Sequence, residues 1–120
     1  MIRIVFMGTP EFAVPALALL ARSGKYTLAG VVTQPGRAAG RGKQVASPPV
    51  KLAAQTLGLP VIQPERLRQP EAMAQLREWS PDLIVVAAFG QILKPEVLDL
   101  PAYGCLNIHA SLLPRHRGAA

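Results

Sequence analysis

The feature that most constrains this chain is alternation. Short runs of branched apolar residues take turns with stretches of helical apolar spacing, and glycine or proline marks most changeovers. Ile2 to Met7 is the first run, closed by Gly8-Thr9-Pro10. A helix then starts between Phe12 and Val14, tolerates Pro15 in its first turn, presents Phe12, Ala16, Leu19 and Leu20 as its apolar face, and stops at Gly24. Tyr26 to Thr33 reads as a second strand, Leu59 to Gln63 as a short third, Asp82 to Ala88 as the clearest central strand and Gly104 to His109 as the last. Between them, Pro49 to Leu57 places Val50, Ala53, Ala54 and Leu57 at helical spacing. Pro70 opens a helix with Ala72, Leu76 and Trp79 on one face, and Pro95 to Leu98 forms a short helical turn. This order predicts an α/β fold: a mostly parallel sheet with flanking helices, binding ligands at the carboxyl ends of its strands. Loops after Met7, Thr33, Ala88 and His109 converge at that end.

At 120 residues the chain is one domain's worth, and no apolar run approaches the roughly 18 residues that cross a bilayer. Its start is too short in apolar residues for a secretory signal and reads as a strand. Cys105 is the single cysteine, which excludes an internal disulfide and suits a reducing, cytoplasmic compartment. The formal charge of +6 is concentrated: no acid occurs between Glu11 and Glu65, whereas Arg22, Lys25, Arg37, Arg41, Lys43 and Lys51 do. Grouped cations in loops favour a polyanionic partner.

Gln34 to Pro49 differs in kind from the rest. Gly36, Gly40 and Gly42 alternate with Arg37, Arg41 and Lys43, and Pro35, Pro48 and Pro49 flank them. It has no apolar period, and its length marks it as a functional or mobile loop. Gly40 to Lys43 is not a phosphate-binding P-loop, because the spacing fails and no hydroxyl follows the lysine. Gly8-Thr9-Pro10 carries one glycine where a dinucleotide fingerprint needs three, so Thr9 is read as a helix-entry cap. His109 and His116 lack carboxylate or thiol company at ligand spacing, so no metal is expected.

The chemistry-bearing stretch is Asn107-Ile108-His109. Residues i and i+2 of a strand project from one face, so the amide and the imidazole point together. An amide donates to a developing oxyanion, and a histidine donates or relays a proton near neutral pH. That is half of an acyl-transfer site. Spacing alone leaves a structural role for both residues open. Cys105, on the same face, reads as a small buried apolar group.

These residues bring a family into view. Asn107-Ile108-His109, then Ser111-Leu112-Leu113-Pro114 and Arg117-Gly118, resemble the signature of the 10-formyltetrahydrofolate-dependent formyltransferases, whose catalytic domain is Rossmann-like. Phe6 to Ala13, together with Thr33-Gln34-Pro35, Gly40 to Lys43, Ser47-Pro48 and Val50-Lys51, resemble the methionyl-tRNA-dependent members of that family. The match runs over essentially residues 1–120, and its two loop motifs together are specific.

The resemblance implies transfer of a formyl group from 10-formyltetrahydrofolate to the α-amine of methionyl initiator tRNA. Asn107 and His109 would stabilise the tetrahedral oxyanion. Phe89, Gly90, Gln91, Ile92 and Leu93 would line the folate cleft, bordered by Ser111, Leu112, Leu113 and Pro114. Arg37, Arg41 and Lys43 would meet the acceptor end of the tRNA. It also implies a monomeric parent enzyme with a carboxy-terminal tRNA-binding domain and a catalytic aspartate downstream. No aspartate follows Asp99 here, and His116 stands where the family more often has Tyr or Trp. On this reading residues 1–120 are the amino-terminal part of the catalytic domain, inactive alone. The rivals are a sugar-nucleotide N-formyltransferase, which shares the Asn-x-His and Ser-Leu-Leu-Pro elements, and a non-catalytic RNA-binding α/β module.

Overall fold

A computed structural model describes residues 1–39 and 44–108; for 37–39 and 44–46 the backbone alone is described. Among the described residues seven strands form: β1 (Ile2–Gly8), β2 (Tyr26–Val32), β3 (Arg37–Ala39), β4 (Gln44–Ala46), β5 (Val61–Ile62), β6 (Leu83–Ala87) and β7 (Cys105–Ile108). Four helices accompany them: α1 (Val14–Ser23), α2 (Pro49–Thr56), α3 (Pro70–Trp79) and α4 (Pro95–Leu98). The main sheet runs β5-β2-β1-β6-β7 with every pairing parallel, as the alternation predicts.

Parallel strands are covered on both faces, and the burial pattern shows how. In β1, Ile4 and Phe6 pack with Leu17 of α1 and with Val50 and Ala54 of α2. The intervening Val5 and Met7 pack with Met73, Leu76 and Trp79 of α3 and Val97 of α4. β6 alternates the same way, Ile84 and Val86 against Val85 and Ala87. The result is helix, sheet, helix in three layers.

Three expectations are corrected. The buried line leading into α1 runs through Ala13 and Leu17, with Ala16 and Leu20 of the expected face packed beside it, while Leu19 is 59% exposed and Phe12 is exposed beside the sheet's carboxyl edge. Alanine and leucine fill this helix so densely that two stripes fit, one residue apart in phase; the sheet selects one. Within the stretch 34–49, read as a loop, β3 and β4 pair antiparallel, Arg37 opposite Ala46. Thr9 is not a cap, because the first helical turn begins at Glu11 after Pro10 and has no side-chain cap bond.

The strand order places a topological switch beside β1. After β1 the chain moves outward through β2 to β5, then returns to the other side of β1 for β6 and β7. Loops leaving β1 and β6 therefore diverge, opening a crevice at their carboxyl ends.

Candidate active site at the carboxyl edge of the sheet

Asn107 sits at that crevice. Parallel pairing sets it opposite Val86 near the carboxyl end of β7, with its side chain exposed. A cleft of about 410 Å³ opens there, within the usual range for ligand sites. Asn107 and Ile108 form one wall, Val86 and the residues from Ala88 to Gln91 another, and Phe12 the rim. The loop after β6 is shaped by two left-handed residues, Ala88 at φ +54° and Gly90 at φ +101°. That conformation costs an L-residue such as Ala88 about 1–2 kcal/mol. The turn drops the Phe89 ring into the core, 2% exposed, and leaves Gly90 and Gln91 on the cleft wall.

Polar contacts then lock the crevice loops together. The Thr9 hydroxyl donates to the Phe89 carbonyl at 2.8 Å and accepts the Gln34 N–H at 3.3 Å. The Gln34 side-chain amide donates to the Gly90 carbonyl at 3.1 Å, and its Oε1 accepts from Gln91 Nε2 at 2.8 Å. Gln91 also donates to the Pro64 carbonyl and accepts from the Leu67 N–H, both at 3.1 Å. Gln63 closes the set by donating to the Gln34 carbonyl at 3.0 Å. The loops after β1, β2, β5 and β6 thus form one hydrogen-bonded rim.

The expected site residues divide accordingly. Asn107, Phe89, Gly90 and Gln91 share the cleft. Ile92 is 83% exposed, and Leu93 packs against the core around Val97. His109, Ser111, Leu112, Leu113, Pro114, Arg41 and Lys43 lie outside the described residues, and Arg37 is described only by its backbone in β3. Cys105 is half-buried against the α3 side of the core, and burial pushes its thiol pKa up. Sequence reasoning missed Phe12, assigned to a helix face, and the joint role of Thr9, Gln34 and Gln91. Phe12 carried no local signal, because its exposure depends on how the helix after it is seated on the sheet. The amide network had none, because it joins residues 24 to 80 positions apart. Among the described residues no three of His, Cys, Asp and Glu gather as a metal-binding group.

Comparison with known proteins decides the family of the chain. The profile of the family described as Formyl transferase matches residues 2–120. The chain belongs to the formyl transferase family. It is 60% identical over 119 residues to the methionyl-tRNA formyltransferase of Syntrophus aciditrophicus, covering 99% of this chain and 38% of that protein. It is 58% identical over 117 residues to that of Geobacter metallireducens, covering 98% and 37%. The chain therefore spans little more than a third of the length of these relatives. Among solved structures, the phosphoribosylglycinamide formyltransferase of Anaplasma phagocytophilum aligns with a TM-score of 0.67 at 23% identity, covering 98% of this chain and 54% of that one. At that identity the likeness establishes the formyltransferase fold. No described helix is long and apolar enough to cross a membrane.

Proposed function

We propose that residues 1–120 are the amino-terminal part of a cytoplasmic, monomeric enzyme that transfers the formyl group of 10-formyltetrahydrofolate to the α-amine of methionyl initiator tRNA. The observation that carries the reading is Asn107, exposed on β7 against the cleft formed by the loop after β6, in a chain about 60% identical to methionyl-tRNA formyltransferases. Phe89, Gly90 and Gln91 line that cleft with their carbonyl and side-chain amide groups already held by the rim, which fixes the shape of the wall a pterin would meet. Ile92 and the segment Ser111, Leu112, Leu113 and Pro114 extend the folate surface in this reading, with Leu93 anchoring the loop to the core.

The chemistry is acyl transfer. The neutral amine attacks the formyl carbon, and the carbonyl π pair moves onto oxygen. Asn107 donates a hydrogen bond to that oxyanion, and His109 donates beside it. Collapse re-forms the carbonyl, breaks the bond to the folate nitrogen and leaves formyl on the acceptor. The amine loses a proton and the folate nitrogen gains one, a movement His109 assists together with a carboxylate encoded beyond residue 120. Arg37, Arg41 and Lys43 attract the phosphates of the acceptor stem.

The test is acceptor choice. The full-length protein, given 10-formyltetrahydrofolate, is expected to formylate methionyl initiator tRNA and to leave amino-sugar nucleotides and glycinamide ribonucleotide unmodified. Preferential formylation of an amino sugar would overturn the assignment. Salt-sensitive RNA binding without donor binding would instead identify an RNA-binding module.

A further inference from the structure

We infer that Gln34 is a positioning residue that ties the root of the β3–β4 hairpin to the wall of the Asn107 cleft, an assignment that rests on the formyl-transfer reading above.

Gln34 uses every polar group it has. Its N–H donates to the Thr9 hydroxyl, its carbonyl accepts from Gln63 Nε2, its side-chain amide donates to the Gly90 carbonyl and its Oε1 accepts from Gln91 Nε2. It lies three positions before Arg37, where the hairpin begins, and its two side-chain partners are both cleft-wall residues. The fit is close on the other side too. A Cβ at Gly90 would stand 2.7 Å from Gln34 Nε2, so the glycine both supplies φ +101° and leaves room for the amide. Turning the Gly90 carbonyl toward Gln34 takes that acceptor out of the cleft and sets which backbone groups face a ligand. The same contacts make any movement of the hairpin root felt at Gly90 and Gln91. Nothing in the oxyanion chemistry requires a residue at the foot of the basic hairpin to grip the folate loop, so Gln34 is assigned to coupling the two substrate regions.

The experiment uses the full-length protein and its Gln34→Ala, Gln34→Glu, Gln91→Ala and Gln34→Ala/Gln91→Ala variants. Two readouts are taken: amide exchange at residues 88–91, and kcat and KM for each substrate at matched folded fraction. Gln34→Ala is expected to speed exchange at 88–91 and to lower kcat on the order of tenfold, the scale of a small misplacement of a substrate-positioning loop. Gln34→Glu keeps the acceptor for Gln91 but cannot donate to the Gly90 carbonyl, so it is expected not to restore kcat. The double variant is expected to be no slower than the worse single variant, because the two residues share one contact. Unchanged exchange at 88–91, a kcat that follows only the folded fraction, or independent multiplication of the two effects would each overturn the assignment. A wild-type protein inactive on every acceptor would overturn the formyl-transfer reading instead, and the exchange result alone would then decide the clamp.

Discussion

The indole of Trp79 occupies the space that a side chain on Gly30 would need. A Cβ built on Gly30 collides with the six-membered ring of Trp79, and a register shift between Ile4 and Val5 inserts one extra residue into β2 just before it. The bulge lets Ala29 and Gly30 both lie on the α3 side, making a flat seat for the ring. α3 therefore docks on β2 through an aromatic lid over a glycine.

Gly30→Ala is accordingly expected to destabilise the protein by about 1–3 kcal/mol through overpacking. Trp79→Ala empties the seat and is expected to cost about 3–5 kcal/mol. Urea denaturation followed by circular dichroism checks both, and a Gly30→Ala midpoint equal to wild type would refute the packing unit.

Thr9→Val keeps the shape of the side chain but removes the donor to the Phe89 carbonyl and the acceptor for the Gln34 N–H. Two polar groups then lose partners, for an expected loss of about 1–3 kcal/mol. Thr9→Ser is expected to recover most of it. If valine and serine give the same melting temperature, the hydroxyl does not hold these loops together.

Much of this architecture was readable before any coordinates, for identifiable reasons. β1, β6 and α3 declare themselves locally: branched runs for the strands, and Pro70 with Ala72, Leu76 and Trp79 in phase for the helix. The strand order did not, since pairing β1 with β6 joins residues about eighty positions apart and leaves no local mark. The β3–β4 pair was hidden because its strands are three residues each and the sequence around them is rich in glycine, so neither shows an apolar alternation. Asn107 could be named as a site residue because strand periodicity fixes its face. Phe12 could not, because its exposure depends on which stripe of α1 the sheet accepts.

Cys105 supplies a pH prediction. Burial disfavours its thiolate, so the folded-state pKa lies above the ordinary thiol value. A proton held more tightly in the folded state means stability is fully present below the unfolded thiol pKa and is lost as pH rises through the folded one. Stability is expected to fall on the alkaline side, and Cys105→Ala to flatten that limb. Alkylation of Cys105 is likewise expected to need higher pH than a free thiol. Rapid modification at neutral pH would contradict a half-buried, protonated Cys105.

Arg41 tests the tRNA half of the proposal. Arg41→Ala in the full-length protein is expected to raise the KM for methionyl-tRNA about tenfold, the scale of one charge-assisted hydrogen bond, with the KM for the formyl donor unchanged. The deficit is expected to shrink as salt rises and phosphate contacts lose their advantage. Equal effects on both substrates would remove the basic segment from tRNA recognition.

The most direct measurement is the single-turnover rate of formyl transfer to methionyl-tRNA by the full-length protein and its Asn107→Ala variant, both saturated with 10-formyltetrahydrofolate. Asn107 is exposed, so the variant is expected to fold normally. Loss of one oxyanion donor is expected to slow the chemical step by about 10²–10³-fold, or about 2.7–4 kcal/mol, with donor binding little changed. A variant that transfers formyl at the wild-type rate would contradict the assignment of Asn107 to the reacting oxygen.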